Sequence, residues 1–469
     1  MKHLSHKWSV LLAVLLGTFT VILNTSLLNP AIPFFVRQFQ IDEFQASWII
    51  NIYILVVGIT LPLTGFLSER YGAKKIYIAG LFLFLIGSIA ASAAGNLPVL
   101  IISRGLQGLG AGLLTPLSIT LIFAAVPIQE RGVATGIWGV VSMVAPTVGP
   151  TLGGVIVDFG SPRLLFLANL PTGVLGLIAA IGLIQPSATG KPGPFDKKGY
   201  LTVFLGVGLT LYALGKMGTF EQALSPLNWL LLAGGLVSLV LFVIHQQAIQ
   251  HPLLHLSLLK IRPFRTGTIV TTLGAVGYYM SFFLIPLVLQ DVYHYSATVT
   301  GLMFIPDALM TGIFMIVGGK ILDRNGAKNV VAAGLFIVGI TTLLLGWLSA
   351  ESPLWYIALL LAVRGAGFGL SCIPATTAGM GTLPEHRLVE GSVLNDLVEQ
   401  LVSSFAIVIA LLAFVLRRGH SVARHVPLEV ANLQVANSLF LVLGGLTFVV
   451  LVIWWREFQS GTVRGGSEE

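Results

Sequence analysis

Apolar runs about as long as a membrane helix, separated by short polar stretches, fill nearly the whole chain. A membrane helix needs about 20 apolar residues, whereas the strands of a membrane barrel would show ~10-residue segments of alternating polarity. The pattern therefore predicts an all-α integral membrane protein with fourteen transmembrane helices. The predicted spans are 8–29, 47–67, 76–94, 98–122, 133–157, 164–184, 199–216, 228–246, 266–289, 300–322, 330–348, 353–378, 392–416 and 434–455.

Composition supports the membrane class and excludes others. Of the 469 residues, 55% are hydrophobic and 10% are charged, whereas soluble proteins carry roughly 25% charged residues. The single cysteine, Cys372, excludes an intramolecular disulfide framework. The first apolar run follows Lys2, His3 and Lys7 and has no small-residue cleavage site, so we interpret it as a retained helix rather than a signal peptide.

The distribution of basic residues predicts the orientation in the membrane. With the N-terminus inside, eighteen Lys and Arg residues fall on the cytoplasmic side and six on the outside, as the positive-inside rule requires. Both termini are then cytoplasmic. The net charge of +7 follows this asymmetry and does not indicate nucleic-acid binding. The last outer loop, Arg417–Glu429, is an exception because it is basic.

Two charged hinges between apolar runs share one pattern. Gly65–Lys75 and Gly319–Lys328 both contain Gly, three residues, an acid, Arg, one residue and Gly-Ala-Lys. Such self-similarity indicates an internal repeat. The copies lie 254 residues apart (319 − 65), which corresponds to about eight helices when a helix and its loop take about 30 residues. The spacing therefore predicts two helices inserted between two six-helix halves.

This spacing divides the chain into three parts. Residues 1–184 are predicted to form a first six-helix bundle. Residues 185–264 are predicted to be a cytoplasmic linker with two inserted transmembrane helices and an interfacial segment, and residues 265–469 a second six-helix bundle with a short cytoplasmic tail. The clearest linker is Gln185–Lys198, which is rich in turn-forming and charged residues.

Several of these motifs resemble those of the major facilitator superfamily, in particular its fourteen-helix drug:proton antiporters of the EmrB/QacA type. Gly65–Lys75 is similar to the superfamily's loop signature, with Glu69 where Asp is usual. Arg104–Gly112 is similar to the Arg-x-x-Gln-Gly element of the fourth helix, which Arg364–Gly369 echoes in the second half. Ala145–Gly154 is similar to the antiporter signature of the fifth helix. The resemblance covers the chain and implies the MFS fold, alternating access and a bacterial cytoplasmic membrane.

The first helix departs from this family pattern. Leu23–Pro33 matches the first-helix signature of the subfamily, but Asn24 stands where relatives carry an acid. If that acid recognises protons or cations in relatives, this chain must place the task elsewhere. The departure also weakens any expectation of divalent-cation transport.

The segment that resembles the antiporter signature combines bends with close packing. Prolines bend a membrane helix, and glycines at helical spacing let neighbouring backbones approach. The resemblance implies a gate between outward-open and inward-open states, and static close packing is the alternative. The residues concerned are Pro146, Gly149, Pro150, Gly153 and Gly154.

The two hinges place carboxylates and guanidiniums where the halves are expected to meet on the cytoplasmic face. Each exposed pair would contribute less than about 1 kcal/mol, but several pairs formed in only one state would bias a two-state equilibrium. We interpret the hinges as a conformational switch; the alternative is simple anchoring by basic residues. The switch residues are Gly65, Glu69, Arg70, Gly72, Lys74, Asp323 and Arg324.

Ionisable side chains inside the predicted spans are the candidate coupling groups, because a charge in hydrocarbon is costly and usually functional. Burial favours the neutral form of a carboxyl group, so such a group can take up a proton outside and release it inside. The candidates, in order, are Asp307, Glu399 and Asp396, with a contact to water near the helix end as the alternative for Asp396. Arg104 and Arg364 are intramembrane cations that either join the mechanism or bond backbone carbonyls.

Aromatic and amide side chains are predicted to line a substrate cavity near the midplane between the halves. Aromatic walls suit lipophilic cations through stacking and cation–π attraction; contact with lipid or neighbouring helices is the alternative. The candidates are Asn24, Tyr53, Gln107, Trp138, Tyr278, Tyr279, Phe282 and Gln290.

The sequence predicts a proton-coupled antiporter that exports amphipathic or lipophilic drugs. The alternatives are an exporter of one lipid, metabolite or siderophore with the same fold, and a non-transporting membrane sensor or scaffold. No nucleotide-binding loop, metal-ligand cluster or nucleophile–base signature is found, so no enzyme, metal or cofactor is expected beyond the proton gradient. Expected partners are small amphipathic or cationic substrates, protons, membrane lipid and, in a double-membraned host, a periplasmic adaptor; nucleic acid is not expected.

Overall fold

The computed structural model describes residues 6–28, 31–159, 163–186, 193–217, 225–423 and 427–457. All regular structure within these ranges is helical, and thirteen of the described helices are long and apolar enough to cross a membrane. A further helix, Arg131–Phe159, has 29 residues. The predicted all-α membrane class is confirmed, while the count of fourteen spans stays a prediction.

The first half consists of helices that pack mainly on one another. They are α1 (His6–Leu27), α2 (Ile32–Phe39), α3 (Glu43–Tyr71), α4 (Ala73–Ser92), α5 (Leu97–Ala125), α6 (Arg131–Phe159), α7 (Arg163–Leu167) and α8 (Leu170–Leu183), with a 3-10 turn at Ile128–Glu130.

The middle segment and the second half follow. The middle helices are α9 (Lys197–Lys216) and α10 (Pro226–Ala248), with a 3-10 turn at Leu256–Lys260. The second half contains α11 (Arg262–Leu287), which continues as a π-helical turn (Val288–Val292), α12 (Ala297–Leu302), α13 (Phe304–Asn325), α14 (Ala327–Leu345), α15 (Leu354–Met380), a 3-10 turn (Glu385–Arg387), α16 (Leu388–Ala423) and α17 (Leu428–Glu457).

Both copies of the hinge pattern end a helix in the same way. The helix α3 ends at Gly72 with φ 90°, and α13 ends at Gly326 with φ 80°. These values lie in the left-handed region that glycine adopts without the steric cost of a Cβ atom. We call the end of the molecule that carries Gly72 and Gly326 the hinge face. The opposite end, where Asn96 precedes the start of α5, is called the far face.

Local sequence explains several helix starts. The helix α3 begins with a capping box, in which Gln45 N donates to Asp42 Oδ1 at 2.6 Å and Asp42 N donates to Gln45 Oε1 at 3.3 Å. The helix α5 begins after Asn96, whose side chain accepts from Val99 N at 3.0 Å. The short helix α2 is missing from the predicted spans because it is only eight residues long and follows the first span closely.

The two halves meet at the hinge face. One apolar cluster there combines Ile119 and Phe123 of the first half with Phe264, Met380 and Leu383 of the second. The helices α6 and α13 also pack closely along this side of the molecule. Near the far face, by contrast, two apolar clusters lie within one half each, and a third joins the middle helices to α16.

The middle helices lie against the junction of the two halves. The pair α9 and α10 pack on each other, and α9 also contacts α3 and α16. A shared cluster contains Leu61, Val207, Phe242 and Val393. The inserted pair therefore contacts one helix from each half. The division of the chain at residues 184 and 264 stays a prediction, and 187–192 of the predicted linker lie outside the described residues.

Candidate functional site

The second half contains a buried ion pair. Arg364 Nη2 of α15 lies 3.6 Å from Asp307 Oδ2 in the first turn of α13. Asp307 is 5% exposed and Arg364 is 6% exposed. Arg364 Nη1 also donates to Ser281 Oγ of α11. Two of the predicted ionisable residues are thus brought together, and three helices share the resulting contact.

A glycine permits this close approach. A Cβ atom at Gly365 would lie 2.8 Å from Thr311 Oγ1 and 3.0 Å from Asp307 Oδ1, which real Cβ contacts rarely tolerate. Thr311 Oγ1 instead donates to the Gly365 carbonyl oxygen at 3.2 Å. The Arg-Gly dipeptide at residues 364–365 therefore supplies both the cation and the space for its partner helix.

A small cavity lies beside the ion pair. Its volume is about 30 Å³, and Tyr278, Asp307, Arg364 and Ser371 are among its lining residues. A cavity of this size has room for about one or two water molecules. All of its lining residues belong to the second half, so this cavity lies within one bundle rather than between the two.

The first half contains a buried arginine in a different setting. The guanidinium carbon of Arg104 lies 4.4 Å from the centre of the Tyr53 ring. Arg104 Nε donates to the Ile49 carbonyl oxygen at 2.9 Å, and Nη1 donates to Gln107 Oε1 at 2.6 Å. Arg104 Nη2 has no partner among the described residues. This buried cation is thus held by a π face and neutral oxygens.

Asn24 belongs to the same buried polar network. Asn24 Oδ1 accepts from Asn169 Nδ2 at 2.9 Å and from Gln107 Nε2 at 3.4 Å, and Gln107 Nε2 also donates to Ser88 Oγ at 2.7 Å. Asn24 is 1% exposed, and Gln107, Asn169 and Ser88 are fully buried. Asn24 and Gln107 therefore form interior contacts in this structure. Sequence reasoning did not assign Asn169, although its Asn-Leu-Pro segment stands at the start of a helix.

The two acids of α16 have no ion-pair partner. Asp396 and Glu399 are half-buried, and neither lies within 4.0 Å of a cationic group in the described chain. The helix α16 begins at Leu388, so Glu399 lies about 16 Å along the helix from its hinge-face end. The predicted span begins at residue 392 and would place Glu399 closer to that end. The next residue, Gln400, donates from Nε2 to the Ile54 carbonyl oxygen of the first half at 3.0 Å.

The aromatic candidates fall into separate groups. Tyr278 packs against Phe282 at 4.7 Å and Phe368 at 6.0 Å between ring centres. Tyr279 is 48% exposed and interacts electrostatically with Glu399. Trp138 donates from Nε1 to Thr18 Oγ1 of α1 at 3.0 Å.

Gln290 is not brought to these aromatic side chains. It is exposed and lies in the π-helical turn at the far-face end of α11. Twelve residues separate it from Tyr278, which is about 18 Å along a helix axis. The structure therefore places Gln290 at the rim of the second half.

The hinges differ in their contacts. Asp323 of the second hinge accepts from Gly132 N at 2.8 Å and Val133 N at 2.9 Å, at the start of α6 in the first half. Glu69 and Arg70 of the first hinge are exposed. Arg324 is also exposed. Only one of the two predicted carboxylates therefore joins the halves in this conformation, and it does so through a helix N-terminus rather than a guanidinium.

Two further residues of the first hinge have different neighbours. Lys74 contacts its own half, and Gly65 lies next to α16 of the second half. Lys74 Nζ donates to the Ile181 carbonyl oxygen at 2.8 Å. A Cβ atom at Gly65 would lie 3.7 Å from Glu390 Cγ, which is ordinary van der Waals contact. Gly65 therefore faces the second half without being tightly packed against it.

The glycines of the fifth-helix motif do not act alike. A Cβ atom at Gly149 would lie 2.5 Å from Ser26 Cβ of α1, and a Cβ atom at Gly153 would collide with the Leu27 carbonyl oxygen. A Cβ atom at Gly154, by contrast, would have no other atom within 4 Å. Ser26 Oγ donates to the Ala145 carbonyl oxygen at 3.2 Å. Gly149 and Gly153 thus form a close contact with α1. Pro146 is half-buried, and the side chain of Pro150 lies outside the described residues.

Thirteen described helices that are long and apolar enough to cross a membrane, together with an arginine buried among the helices of each half, indicate a multi-pass membrane protein. The family model of the Major Facilitator Superfamily matches residues 14–407. The chain belongs to this superfamily.

Relatives and solved structures agree with this class. The chain is 33% identical to the uncharacterized MFS-type transporter YcnB of Bacillus subtilis, over 94% of this chain and 93% of that protein. It is 30% identical to the putative multidrug resistance protein MdtD of Escherichia coli, over 87% of this chain and 86% of the relative. The structure of the proton:xylose symporter XylE is similar in fold, with a TM-score of 0.67 and 16% identity over 98% of both chains.

Proposed function

We propose that the protein is a proton-coupled antiporter that exports amphipathic compounds by alternating access, and that it is of the fourteen-helix EmrB/QacA type. The observation that carries this proposal is the buried pair of Asp307 and Arg364, whose nearest charged atoms are 3.6 Å apart. Holding both charges out of water is costly. A static scaffold has no use for that cost, whereas a carboxylate that is protonated in one state and paired in the other couples a proton to a conformational change.

The acids of α16 extend this proposal. Asp396 and Glu399 lie one turn apart on the helix, and like charges at this spacing disfavour simultaneous ionisation. The neighbouring Gln400 bonds the first half through the Ile54 carbonyl. A change of protonation at Glu399 therefore acts on the helix that joins the halves. We assign Asp307 and Glu399 as coupling acids and Asp396 as a secondary group.

The contacts between the halves support a state closed at the hinge face. Thr135 and Thr377 oxygens lie 2.7 Å apart, and Asp323 binds the start of α6. We propose that the hinge face is cytoplasmic, as the distribution of Lys and Arg predicts, and that this conformation opens outward. In the inward-open state the Asp323 contact would break.

An aromatic wall supports the substrate class. Tyr279 is 48% exposed and Phe282 is 38% exposed, and Phe282 stacks on Phe304 with ring centres 4.4 Å apart. Such rings attract lipophilic cations. The similarity to MdtD, whose name describes a putative multidrug resistance protein, is in keeping with this assignment.

The test is transport in everted membrane vesicles with a panel of lipophilic cations and neutral drugs, recording proton movement at the same time. The proposal predicts that several chemically different compounds enter the vesicles and that each addition releases protons. Uptake of a single compound would favour the narrower exporter of one metabolite, lipid or siderophore. Substrate movement without proton movement would overturn the coupling, and no movement of any compound would favour a sensor or scaffold.

A further inference from the structure

The guanidinium group of Arg364 makes unequal contacts with two helices. Its Nη1 atom donates a hydrogen bond to Ser281 Oγ of α11. Its Nη2 atom lies 3.6 Å from Asp307 Oδ2 of α13, which is longer than a hydrogen bond between nitrogen and oxygen. The cation is thus hydrogen-bonded to a neutral hydroxyl group, while its contact with the carboxylate is electrostatic.

A second hydrogen bond fixes the direction of the Ser281 hydroxyl group. Ser281 Oγ donates to the Gly277 carbonyl oxygen, four residues earlier on α11, at 2.7 Å, a bond that serine hydroxyls inside helices can form. Because this bond uses the only proton of the hydroxyl group, Oγ can accept from Arg364 but cannot donate to Asp307. Ser281 is also fully buried, so bulk water does not reach this contact.

Few other ionisable side chains lie near Asp307. Arg364 is the charged side chain that interacts electrostatically with it, and the phenol of Tyr278 on α11 interacts with both members of the pair. Cys372 of α15 lines the same cavity, and Glu399 of α16 interacts with Cys372. Arg364 is therefore the group whose position most affects the charge of Asp307.

The other helices around this pair contribute no charge to it. The helices α14 and α17 line the cavity with apolar residues and threonines. The helix α6 packs against α13 and has no titratable residue between Val133 and Val157. The short helix α12, Ala297–Leu302, has none either. The protonation of Asp307 thus depends mainly on how closely the guanidinium group approaches it.

We propose that Ser281 is a positioning residue that holds the Arg364 guanidinium group back from Asp307, so that the carboxyl group can take up and release a proton. This inference rests on the proposed role of Asp307 as a coupling acid. An arginine in full hydrogen-bonding contact with a carboxylate strongly favours the ionised form, and an acid held in that way would not exchange protons. Ser281 gives one branch of the guanidinium group another acceptor and keeps the pair open.

The protonation of Asp307 is measured without transport. Dicyclohexylcarbodiimide reacts with protonated carboxyl groups in apolar surroundings, and mass spectrometry of the purified full-length protein gives the labelled fraction at residue 307 as the pH is varied. In Ser281→Ala the guanidinium group loses its hydroxyl acceptor and should close on Asp307. We expect the pH of half-maximal labelling to fall by about one unit relative to wild type, as a closer arginine favours the ionised acid.

Further variants separate the hydroxyl group from the packing around it. Ser281→Thr keeps the hydroxyl group and should stay close to the wild-type profile. Ser281→Cys has a weaker acceptor of similar size, should shift the profile in the same direction as Ser281→Ala, and decides the question if Ser281→Ala does not fold. The matched control is Thr341→Val, because Thr341 of α14 is also buried and its hydroxyl group donates to the Ile337 carbonyl oxygen of its own helix at 2.7 Å. This control should leave the labelling of Asp307 unchanged.

Three results would overturn the proposal. The first is a half-labelling pH that stays at the wild-type value, or rises, when the Ser281 hydroxyl group is removed. The second is an equal fall in Thr341→Val, which would assign the effect to packing. The third is a wild-type Asp307 that is not labelled at any pH at which the protein stays folded, because the pair would then already be closed.

The labelling experiment and the transport assay fail separately. A shifted labelling profile in Ser281→Ala, together with a wild-type protein that moves no protons with any compound, would reject the antiporter and keep the positioning role of Ser281. Proton-coupled export by the wild type, together with a labelling profile that Ser281→Ala leaves unchanged, would reject the positioning role alone.

Discussion

Tyr53 and Asp307 occupy equivalent positions in the two halves, and each contacts the buried arginine of its own half. Each lies twelve residues before its hinge glycine (65 − 53 and 319 − 307) on an uninterrupted helix. In the first half the Tyr53 ring lies 4.4 Å from the Arg104 guanidinium carbon, and in the second half the nearest charged atoms of Asp307 and Arg364 are 3.6 Å apart. The repeat thus pairs one arginine with an uncharged ring and the other with a titratable acid.

This asymmetry has a mechanistic consequence. In the first half, the described partners of Arg104 are the Tyr53 ring, the Ile49 carbonyl oxygen and the Gln107 amide oxygen, none of which is a carboxylate. A proton has no carboxylate to bind there among the residues in contact with Arg104. We therefore expect proton coupling to reside in the second half and the first half to keep a constant charge throughout the cycle.

The Tyr53 ring should stabilise Arg104 through cation–π attraction, which contributes about 0.5–2 kcal/mol depending on desolvation. Tyr53→Leu removes the ring and should lower the thermal unfolding midpoint of the purified protein. Tyr53→Phe keeps the ring and should have the smaller effect. Equal midpoints for the two variants would show that the ring does not stabilise the arginine.

The close contact between α6 and α1 should depend on particular glycines. Gly149→Ala places a Cβ atom 2.5 Å from Ser26 Cβ, and overpacking of this kind costs about 1–3 kcal/mol. We expect lower stability and slower transport. Gly154→Ala is the matched control because a Cβ atom there meets nothing within 4 Å. The prediction is contradicted if both variants transport equally well in the vesicle assay.

The Asp323 carboxylate should favour the state closed at the hinge face. Acceptance of two backbone N–H groups at a helix start is worth up to about 2 kcal/mol. This state can be detected by crosslinking. In a Cys372→Ala background, Thr135 and Thr377 are both replaced by cysteine, and a disulfide between them reports the closed state because the two threonine oxygens lie 2.7 Å apart. Asp323→Asn should reduce the crosslinking rate.

Glu69→Gln is the corresponding control, because Glu69 stands at the equivalent position of the first hinge and is exposed. It should leave the crosslinking rate of the Thr135–Thr377 pair unchanged. A loss of crosslinking in Glu69→Gln that matches the loss in Asp323→Asn would indicate a general charge effect rather than the helix-start contact.

The junction before α9 should show a defined dependence on pH. Burial by itself would raise the pKa of Asp196, but hydrogen bonds from Gly199 N at 2.8 Å, His245 Nε2 at 2.9 Å and Gln246 Nε2 at 2.7 Å outweigh it and lower the pKa. A carboxyl whose folded-state pKa is depressed stabilises the fold above its unfolded-state value, and the stabilisation is lost as pH falls through the folded-state value.

Asp196→Asn should therefore lower the thermal unfolding midpoint at neutral pH, and the difference from wild type should shrink only below about pH 4. The measurement is thermal unfolding of both proteins in detergent across this range. A difference that already disappears between pH 7 and pH 5 would contradict the lowered pKa.

Much of the architecture could be predicted from the sequence, because span length and hinge repetition depend on local patterns. The hinge glycines Gly72 and Gly326, which end their helices with positive φ, are of this kind. The short helix α2 and the early start of α16 at Leu388 were missed, because both involve residues at the ends of apolar runs, where hydropathy gives no sharp boundary.

The site was only partly predictable for a different reason. Asp307 and Arg364 could each be predicted as candidates because a charge buried in a membrane helix is costly. That they pair with each other depends on the close approach of α13 to α15 at Gly365. The same applies to Asn169, whose partner Asn24 lies 145 positions away. Glu69 and Asp323 occupy the same position of the shared hinge pattern, and the pattern alone does not show that only Asp323 contacts the start of α6.

The most direct test of the second-half coupling site is proton exchange by Asp307→Asn. Removing one member of a buried ion pair typically costs about 3–5 kcal/mol, so the variant is first checked for a monodisperse, folded protein. The exposed Glu351→Gln is the control. In proteoliposomes with an internal pH dye, an exported compound should drive proton movement with wild type and Glu351→Gln but not with Asp307→Asn. Undiminished proton-coupled exchange by folded Asp307→Asn would contradict the account.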